Sequence, residues 1–263
     1  MKTLMKTLII LHGWQSSKEK WQNVKEALEE QGIRVLVLDL PGFKPENQLK
    51  QAWCLDDYVE RLAEKIDEGK TGRGQTSPKL GSKFLGGLPS PSPPVFPSPV
   101  FLLGHSFGGR IAIKFAVRYP EKLQGLILVS AAGIKDNSLT TKFFWFLAGL
   151  SQKLKIKQCP CYSFARKFFY RFVLRKIDYF KANPIQKEIM KKAVSEDLTP
   201  FLKDIFVPTL IIWGRKDKTT PLKNGYLMKE KIRGAKLKIL PYIGHSPHLE
   251  NPGLLAEKIR EFL

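Results

Sequence analysis

Short runs of consecutive apolar residues recur along the chain, and amphipathic stretches lie between them. The runs are rich in Val, Ile and Leu: Leu8 to Leu11, Val35 to Leu38, Val100 to Leu103, Leu126 to Val129, Leu210 to Trp213 and Leu237 to Leu240. Such runs predict strands that are covered on both faces. Helical spacing recurs between them, first at Trp21, Val24 and Leu28 and then at Leu55, Val59, Leu62 and Ile66. The alternation predicts an α/β fold with a mostly parallel central sheet flanked by helices.

The first predicted helix carries a candidate start signal. Ser16 and Glu19 stand three residues apart just before its apolar positions. This is the spacing of a capping box, in which the two side chains satisfy backbone N–H groups at a helix start. We therefore expect the helix to begin at this point.

Two segments interrupt the alternation of strands and helices. Residues 69–99 are rich in Gly, Ser, Pro and Lys, which predicts a flexible surface insert. Their Pro-x-x-Pro spacing also allows the alternative that the insert docks an SH3-like partner. Residues 134–205 lack strand character and are dense in Phe, Tyr, Lys and Arg, which predicts a helical cap (lid). The core domain then comprises residues 1–133 and 206–263.

The predicted cap combines basic and aromatic side chains. Lys167, Arg171 and Arg175 repeat every fourth residue and form a narrow basic stripe on a helix that is otherwise apolar, with Phe168, Phe169, Phe172, Val173 and Phe180 around it. Helices of this composition rest on anionic lipid surfaces in other proteins. A second aromatic group, Phe143, Phe144, Trp145 and Phe146, either lines an apolar substrate site or packs the cap onto the core.

The strongest chemical signal is the segment Gly104-His105-Ser106-Phe107-Gly108, here called the elbow. It follows the apolar run 100–103 and precedes a helical pattern. Gly-x-Ser-x-Gly between a strand and a helix presents a serine on a sharp, strained turn, where small neighbours let the chain pass close on both sides. The turn also places the backbone N–H of Phe107 at a helix N-terminus, where it can stabilise an oxyanion.

Two further motifs end neighbouring predicted strands. His12-Gly13-Trp14 ends the first strand, and Asp39-Leu40-Pro41-Gly42 ends the second. Together with the elbow they resemble the α/β-hydrolase family, and the resemblance covers nearly the whole chain except the insert 69–99. The family order after the serine is acid and then histidine. That order implies a catalytic triad of Ser106, Asp217 and His245.

The resemblance also implies a role for each site residue. Ser106 would be the nucleophile, His245 the general base and Asp217 the carboxylate that orients the base. The backbone N–H groups of Trp14 and Phe107 would form the oxyanion hole. Neither a metal nor a cofactor is implied.

Other residues compete for some of these roles. His248 is a rival base and Asp39 a rival acid. His12 is expected to orient the oxyanion loop, and His105 flanks the elbow without a catalytic role.

A serine at the elbow restricts the reaction type. Family members that open epoxides or remove halide resemble this chain but carry Asp at the position of Ser106. The expected activity is therefore that of a serine hydrolase, cleaving a carboxylic ester or thioester through an acyl-enzyme. The alternatives are a C–C bond hydrolase, lyase or acyltransferase of the same fold, or a non-enzymatic binding protein that uses the basic cap.

Charge and cysteine content add expectations about surroundings. The 263 residues include 44 Lys and Arg against 24 Asp and Glu, a formal charge of +20. Such a surface attracts polyanions, so peripheral contact with anionic membrane is one prediction, while no motif for specific nucleic-acid binding is present. Cys54, Cys159 and Cys161 cannot all pair within one chain, which favours a reducing, cytoplasmic location. Cys159-Pro160-Cys161 lacks the further ligands of a usual zinc site.

Overall fold

The protein contains a parallel β-sheet whose six strands lie in the order β2-β1-β3-β4-β5-β6 within the described residues. The structure is a computed structural model, and it describes residues 6–71, 99–135 and 182–263. The strands are β1 (Thr7–Leu11), β2 (Arg34–Leu38), β3 (Val100–His105), β4 (Leu123–Val129), β5 (Thr209–Gly214) and β6 (Lys236–Leu240). All six predicted strands and their parallel arrangement are confirmed.

Helices connect successive strands and cover the sheet. They are α1 (Gln22–Glu29), α2 (Leu55–Thr71), α3 (Phe107–Arg118), α4 (Pro184–Ser195), α5 (Leu222–Lys231), α6 (Pro247–Glu250) and α7 (Pro252–Arg260). Short 3₁₀ segments occupy Lys18–Trp21, Pro45–Asn47, Pro120–Lys122 and Thr199–Asp204. No helix in the described part of the chain is both long and apolar enough to cross a membrane.

The two faces of the sheet bury separate apolar clusters. In β1, Leu8 and Ile10 belong to one cluster and Ile9 and Leu11 to the other, because successive side chains of a strand point to opposite faces. The first cluster includes residues of α1 and α7, and the second includes residues of α2, α3, α4 and α5. Burial on both faces explains why these strands are continuously apolar in sequence.

The start of the first helix differs from its prediction. A 3₁₀ turn, Lys18–Trp21, precedes α1, and the residue at its N-cap is Ser17, whose side chain makes no capping bond. The backbone N–H of Lys18 instead donates to Asp39 Oδ1 at 2.9 Å. The capping-box prediction was therefore wrong, and a carboxylate just after β2 accepts one of the N–H groups at this helix start.

The predicted insert and cap are described only at their ends. Helix α2 continues to Thr71, so it includes the first residues of the segment 69–99, and residues 72–98 lie outside the described residues. Residues 136–181, which hold the basic stripe, the second aromatic group, Cys159 and Cys161, also lie outside them. The described end of the segment 134–205 contains α4 and the 3₁₀ turn Thr199–Asp204.

A buried arginine attaches α4 to the core. Arg110 of α3 donates from Nη1 to the carbonyls of Ala193 at 2.7 Å and Glu196 at 3.0 Å, at the C-terminal end of α4. A cation is favourable there, because the last carbonyls of a helix are otherwise unpaired. Burial lowers the pKa of Arg110 to about 10.

Candidate active site

Ser106 lies at the tip of a strained turn between β3 and α3. Its backbone has φ 50° and ψ −112°, a conformation that L-residues rarely adopt and that costs of order 1–3 kcal/mol. Three backbone hydrogen bonds hold the turn: the Ser106 N–H donates to Val129, and the Ser106 carbonyl accepts from Gly109 and Ala132. The surrounding sheet thus determines where the Ser106 hydroxyl points.

The glycines of the elbow permit close approach of backbone segments. A Cβ at Gly104 would lie 2.6 Å from the Gly108 carbonyl oxygen, and one at Gly108 would lie 2.3 Å from the Leu11 carbonyl oxygen. Both distances are too short for a side chain. The Gly-x-Ser-x-Gly spacing therefore reflects packing of the elbow against itself and against β1.

The three predicted triad side chains meet at the carboxyl edge of the sheet. His245 Nε2 lies 3.0 Å from Ser106 Oγ, and His245 Nδ1 lies 2.9 Å from Asp217 Oδ2. Because a carboxylate can only accept, Nδ1 carries the proton and Nε2 accepts from the Ser106 hydroxyl. This arrangement lets the imidazole of His245 take the hydroxyl proton while Ser106 Oγ attacks a substrate.

The Asp217 carboxylate is held ionised in a buried position. Its Oδ1 accepts the backbone N–H groups of Thr219 at 2.8 Å and Thr220 at 2.9 Å, while its side chain has no exposed surface. Burial by itself raises the pKa of Asp217, but hydrogen bonding and charge interaction with His245, together with the Thr220 bonds, leave it below its ordinary value. A carboxylate is therefore present to orient His245.

Sequence reasoning missed Thr220. Its hydroxyl lies 2.8 Å from Asp217 Oδ2 and 3.1 Å from the Ser130 carbonyl, and it is buried. The sequence signal that could have identified it is the three-residue spacing from Asp217, which is typical of side chains that bond the backbone of a tight turn.

His12 orients the loop that contains Gly13 and Trp14. The His12 ring is buried, and its Nδ1 lies 2.8 Å from the Gly13 carbonyl oxygen. Its Nε2 accepts the Leu40 N–H at 3.0 Å. Nε2 is therefore unprotonated, which agrees with the lowering of the His12 pKa by burial. In a trans peptide the Gly13 carbonyl and the Trp14 N–H point in opposite directions, so fixing the carbonyl also fixes that N–H.

The predicted oxyanion donors come from segments that touch at the elbow. A Cβ at Gly13 would lie 3.3 Å from Ser106 Cβ, so the Gly13-Trp14 peptide runs next to the candidate nucleophile. Phe107 is the first residue of α3, and its N–H therefore has no partner in the preceding helical turn.

An aromatic group stands beside these donors. The rings of Trp14, Phe43 and Phe107 contact one another edge to face, with centroids 5.0 to 5.7 Å apart. Trp14 and Phe43 are half-buried. These three residues present an apolar wall next to the candidate oxyanion site.

The two rival residues lie in other environments. Asp39 pairs with Lys44 Nζ at 2.9 Å and accepts the Lys18 N–H, so it acts in an ion-pair network at the end of β2. His248 stacks on Trp21 with ring centroids 4.3 Å apart and an interplanar angle of 1°. Neither is the partner of Ser106 Oγ or of His245 Nδ1 in the triad geometry.

His105 and Glu250 bond the backbone around His245. His105 Nε2 lies 2.9 Å from the His245 carbonyl, and the Glu250 carboxylate accepts backbone N–H groups on both sides of His245. Sequence reasoning gave neither residue such a role. Among the described residues, no group of three or more His, Cys, Asp or Glu side chains is arranged to hold a metal ion.

Comparison with known proteins identifies the family of the chain. A family model described as the alpha/beta hydrolase family matches residues 8–258. The chain is 26% identical to the pimeloyl-(acyl-carrier protein) methyl ester esterase of Nitrosomonas europaea, over 93% of this chain and 90% of that protein. It is 23% identical to the human monoacylglycerol lipase ABHD6, over 98% of this chain and 75% of that protein.

Solved structures show the same fold. An esterase from Exiguobacterium antarcticum superposes with a TM-score of 0.69 at 20% identity, covering 98% of this chain and 91% of that one. Since the family model spans almost the whole chain, the protein belongs to the α/β-hydrolase family and is a hydrolytic enzyme.

Proposed function

We propose that the protein is a serine hydrolase that cleaves carboxylic esters through an acyl-enzyme on Ser106. The observation that carries the proposal is the continuous chain of contacts from Ser106 Oγ to His245 at 3.0 Å and from His245 to Asp217 at 2.9 Å. The esterase and lipase names of its relatives support an ester as the substrate class.

In the first half of the proposed reaction, Ser106 Oγ attacks the ester carbonyl carbon and passes its proton to His245 Nε2. The backbone N–H groups of Trp14 and Phe107 stabilise the oxyanion that forms on the carbonyl oxygen. When this intermediate collapses, the C–O bond to the alcohol breaks and His245 returns the proton to the departing oxygen. Asp217 stabilises the imidazolium throughout.

In the second half, water replaces the alcohol. His245 Nε2 takes a proton from water as its oxygen attacks the acyl carbon on Ser106. The second oxyanion collapses, the bond to Ser106 Oγ breaks, and the serine recovers its proton from His245. The products are a carboxylic acid and an alcohol, and the enzyme is regenerated. No group beyond the side chains and backbone donors named is required.

The proposal is tested by labelling with a fluorophosphonate and by hydrolysis of p-nitrophenyl butyrate. We expect the wild-type protein to react in both assays and Ser106→Ala to fail in both, with kcat lower by up to about 10⁶-fold. Ser195→Ala removes an exposed serine hydroxyl of α4 and serves as the matched control. Folded wild-type protein that takes no label would favour the alternative of a binding protein, and ester turnover that survives Ser106→Ala would disprove the mechanism.

The acyl or alcohol group is proposed to be hydrophobic. The aromatic wall of Trp14, Phe43 and Phe107 supports this, because it stands beside the candidate oxyanion donors. A series of p-nitrophenyl esters with increasing acyl length should show kcat/KM rising beyond acetate, and a Phe43→Ser variant should flatten the rise. Product analysis on thioester and diketone substrates would distinguish ester hydrolysis from thioester or C–C bond hydrolysis.

Peripheral membrane contact and a cytoplasmic location remain parts of the proposal. The formal charge of +20 supports attraction to anionic lipid. In liposome flotation we expect recovery with anionic vesicles, loss at high salt, and no recovery with neutral vesicles. Equal recovery with both kinds of vesicle would exclude an electrostatic contact. The cysteine content supports a reducing compartment, and Cys54 is free.

A further inference from the structure

The segment 243–246, here called the histidine loop, carries the proposed general base between β6 and α6. A residue in such a loop depends on its backbone for position, because the imidazole must reach Ser106 and Asp217 at once. The Ile243 carbonyl accepts the N–H of Lys216, the residue before Asp217, at 2.8 Å. One end of the histidine loop is thereby attached to the loop of the proposed acid.

Glu250 attaches the middle of the histidine loop. Its Oε2 accepts the Gly244 N–H at 2.7 Å, and its Oε1 accepts the Ser246 N–H at 3.0 Å. One carboxylate therefore bonds the residues before and after His245. Hydrogen bonds to an ionised acceptor are stronger than those between neutral groups, so this carboxylate restrains rotation of both flanking peptides.

His105 attaches the remaining carbonyl. Its ring is 4% exposed, and Nε2 lies 2.9 Å from the His245 carbonyl oxygen, so Nε2 carries the proton and donates. Burial lowers the pKa of His105 well below its ordinary value, so the ring stays neutral. Because His105 directly precedes Ser106, this bond joins the backbone of the proposed base to the residue next to the proposed nucleophile.

We infer that His105 and Glu250 are positioning residues for the proposed reaction: together they hold the backbone of His245 so that its imidazole reaches Ser106 Oγ and Asp217. The inference rests on the proposed function. Neither side chain is the hydrogen-bond partner of Ser106 Oγ, so both act through His245. Loss of either bond lets the loop shift, and a displacement of about 1 Å can lower a catalysed rate by about 100-fold.

The test compares variants that remove the bonds with variants that keep them. His105→Leu removes the donor, whereas His105→Gln keeps an N–H donor at nearly the same place as Nε2. Glu250→Ala removes both acceptors, and Glu250→Gln keeps one of them. Glu230→Ala removes an exposed carboxylate that pairs with Lys231 and controls for the change in charge.

Kinetics are measured on p-nitrophenyl butyrate, with each protein's concentration of folded molecules set by circular dichroism and thermal unfolding. For His105→Leu and Glu250→Ala we expect kcat to fall by about 10- to 100-fold with KM nearly unchanged. His105→Gln should recover most of kcat, Glu250→Gln should fall between Glu250→Ala and wild type, and Glu230→Ala should match wild type.

Two outcomes would overturn the inference. One is a lowered Tm with an unchanged kcat per folded molecule, which is what a purely structural role predicts. The other is His105→Gln with activity as low as His105→Leu, since the N–H donor would then be irrelevant. If His105→Leu fails to fold, the Glu250 variants still test the inference, because Glu250 is exposed and its substitution is compatible with folding. Failure of the proposed function is recognised separately, because wild-type protein would then neither take the fluorophosphonate label nor turn over the ester.

Discussion

We expect the free energy of unfolding of the protein to depend on pH through the buried side chain of His248. Its ring is 3% exposed and stacked on Trp21. Nδ1 has no hydrogen-bond partner among the described residues. Burial lowers the pKa of His248 from 6.5 to about 3 in the folded protein, with a further contribution from His245. The imidazolium form is thus much more favourable in the unfolded chain than in the folded one.

The sign of the effect follows from proton linkage. Below the unfolded pKa of 6.5 the unfolded chain binds a proton at His248 that the folded protein does not bind. The contribution of His248 to the free energy of unfolding is therefore complete above pH 6.5 and is lost as the pH falls toward 3. Integrating this difference from about pH 7.5 to about pH 5 gives a loss of about 2 kcal/mol for His248 alone. The lowered pKa of Asp217 affects stability only near and below 3.8, outside this window.

Urea unfolding of wild type and His248→Phe at about pH 7.5 and about pH 5 measures the loss, because Phe keeps a ring on Trp21 and removes the titration. Burial also lowers the pKa values of His12 and His105, but both residues are present in wild type and variant, so their contributions to the loss largely cancel in the comparison. We expect wild type to lose about 2 kcal/mol more than the variant on acidification. Equal losses would refute the claim that buried, neutral His248 limits stability in acid.

Other substitutions test the site itself. Asp217→Asn should lower kcat by about 10⁴-fold with little change in Tm, because the amide favours the wrong tautomer of the base; a pre-steady-state acylation assay measures this. Gly104→Ala should lower the free energy of unfolding, measured with urea, by at least about 1–3 kcal/mol, since its Cβ would lie 2.6 Å from a backbone oxygen. Gly253→Ala is the control: its added Cβ would have nothing within 4 Å, so its free energy of unfolding should be unchanged or higher. Thr220→Val should weaken both stability and kcat, and an unchanged kcat would show that its hydroxyl does not hold Asp217.

Much of the fold was predictable from the sequence because its strands are buried on both faces. Leu8 to Leu11 and Leu210 to Trp213 are continuous apolar runs, and the structure places both within the sheet. Glycine spacing was informative for a similar local reason. Gly104 and Gly108 have no room for a Cβ, so the motif itself records the close packing of the elbow.

The start of α1 was less predictable. Ser16 and Glu19 have capping-box spacing, yet Asp39 accepts the Lys18 N–H from the end of β2. A side chain 21 positions away in sequence thus replaces the local cap. Capping preferences describe which nearby side chain bonds the first N–H groups of a helix, and an acceptor brought close by the tertiary structure can replace that local side chain.

The sequence by itself determined the strand pattern and the elbow, because both depend on local spacing, while the resemblance to the α/β-hydrolase family pointed to Ser106, Asp217 and His245. The tertiary structure decided which groups hold them in place. His105 meets the His245 carbonyl across 140 positions, and Glu250 turns back to two N–H groups beside His245. Such partners depend on the path of the backbone through loops that converge at one sheet edge, and no pattern along the chain specifies which carbonyl or N–H a side chain will meet there.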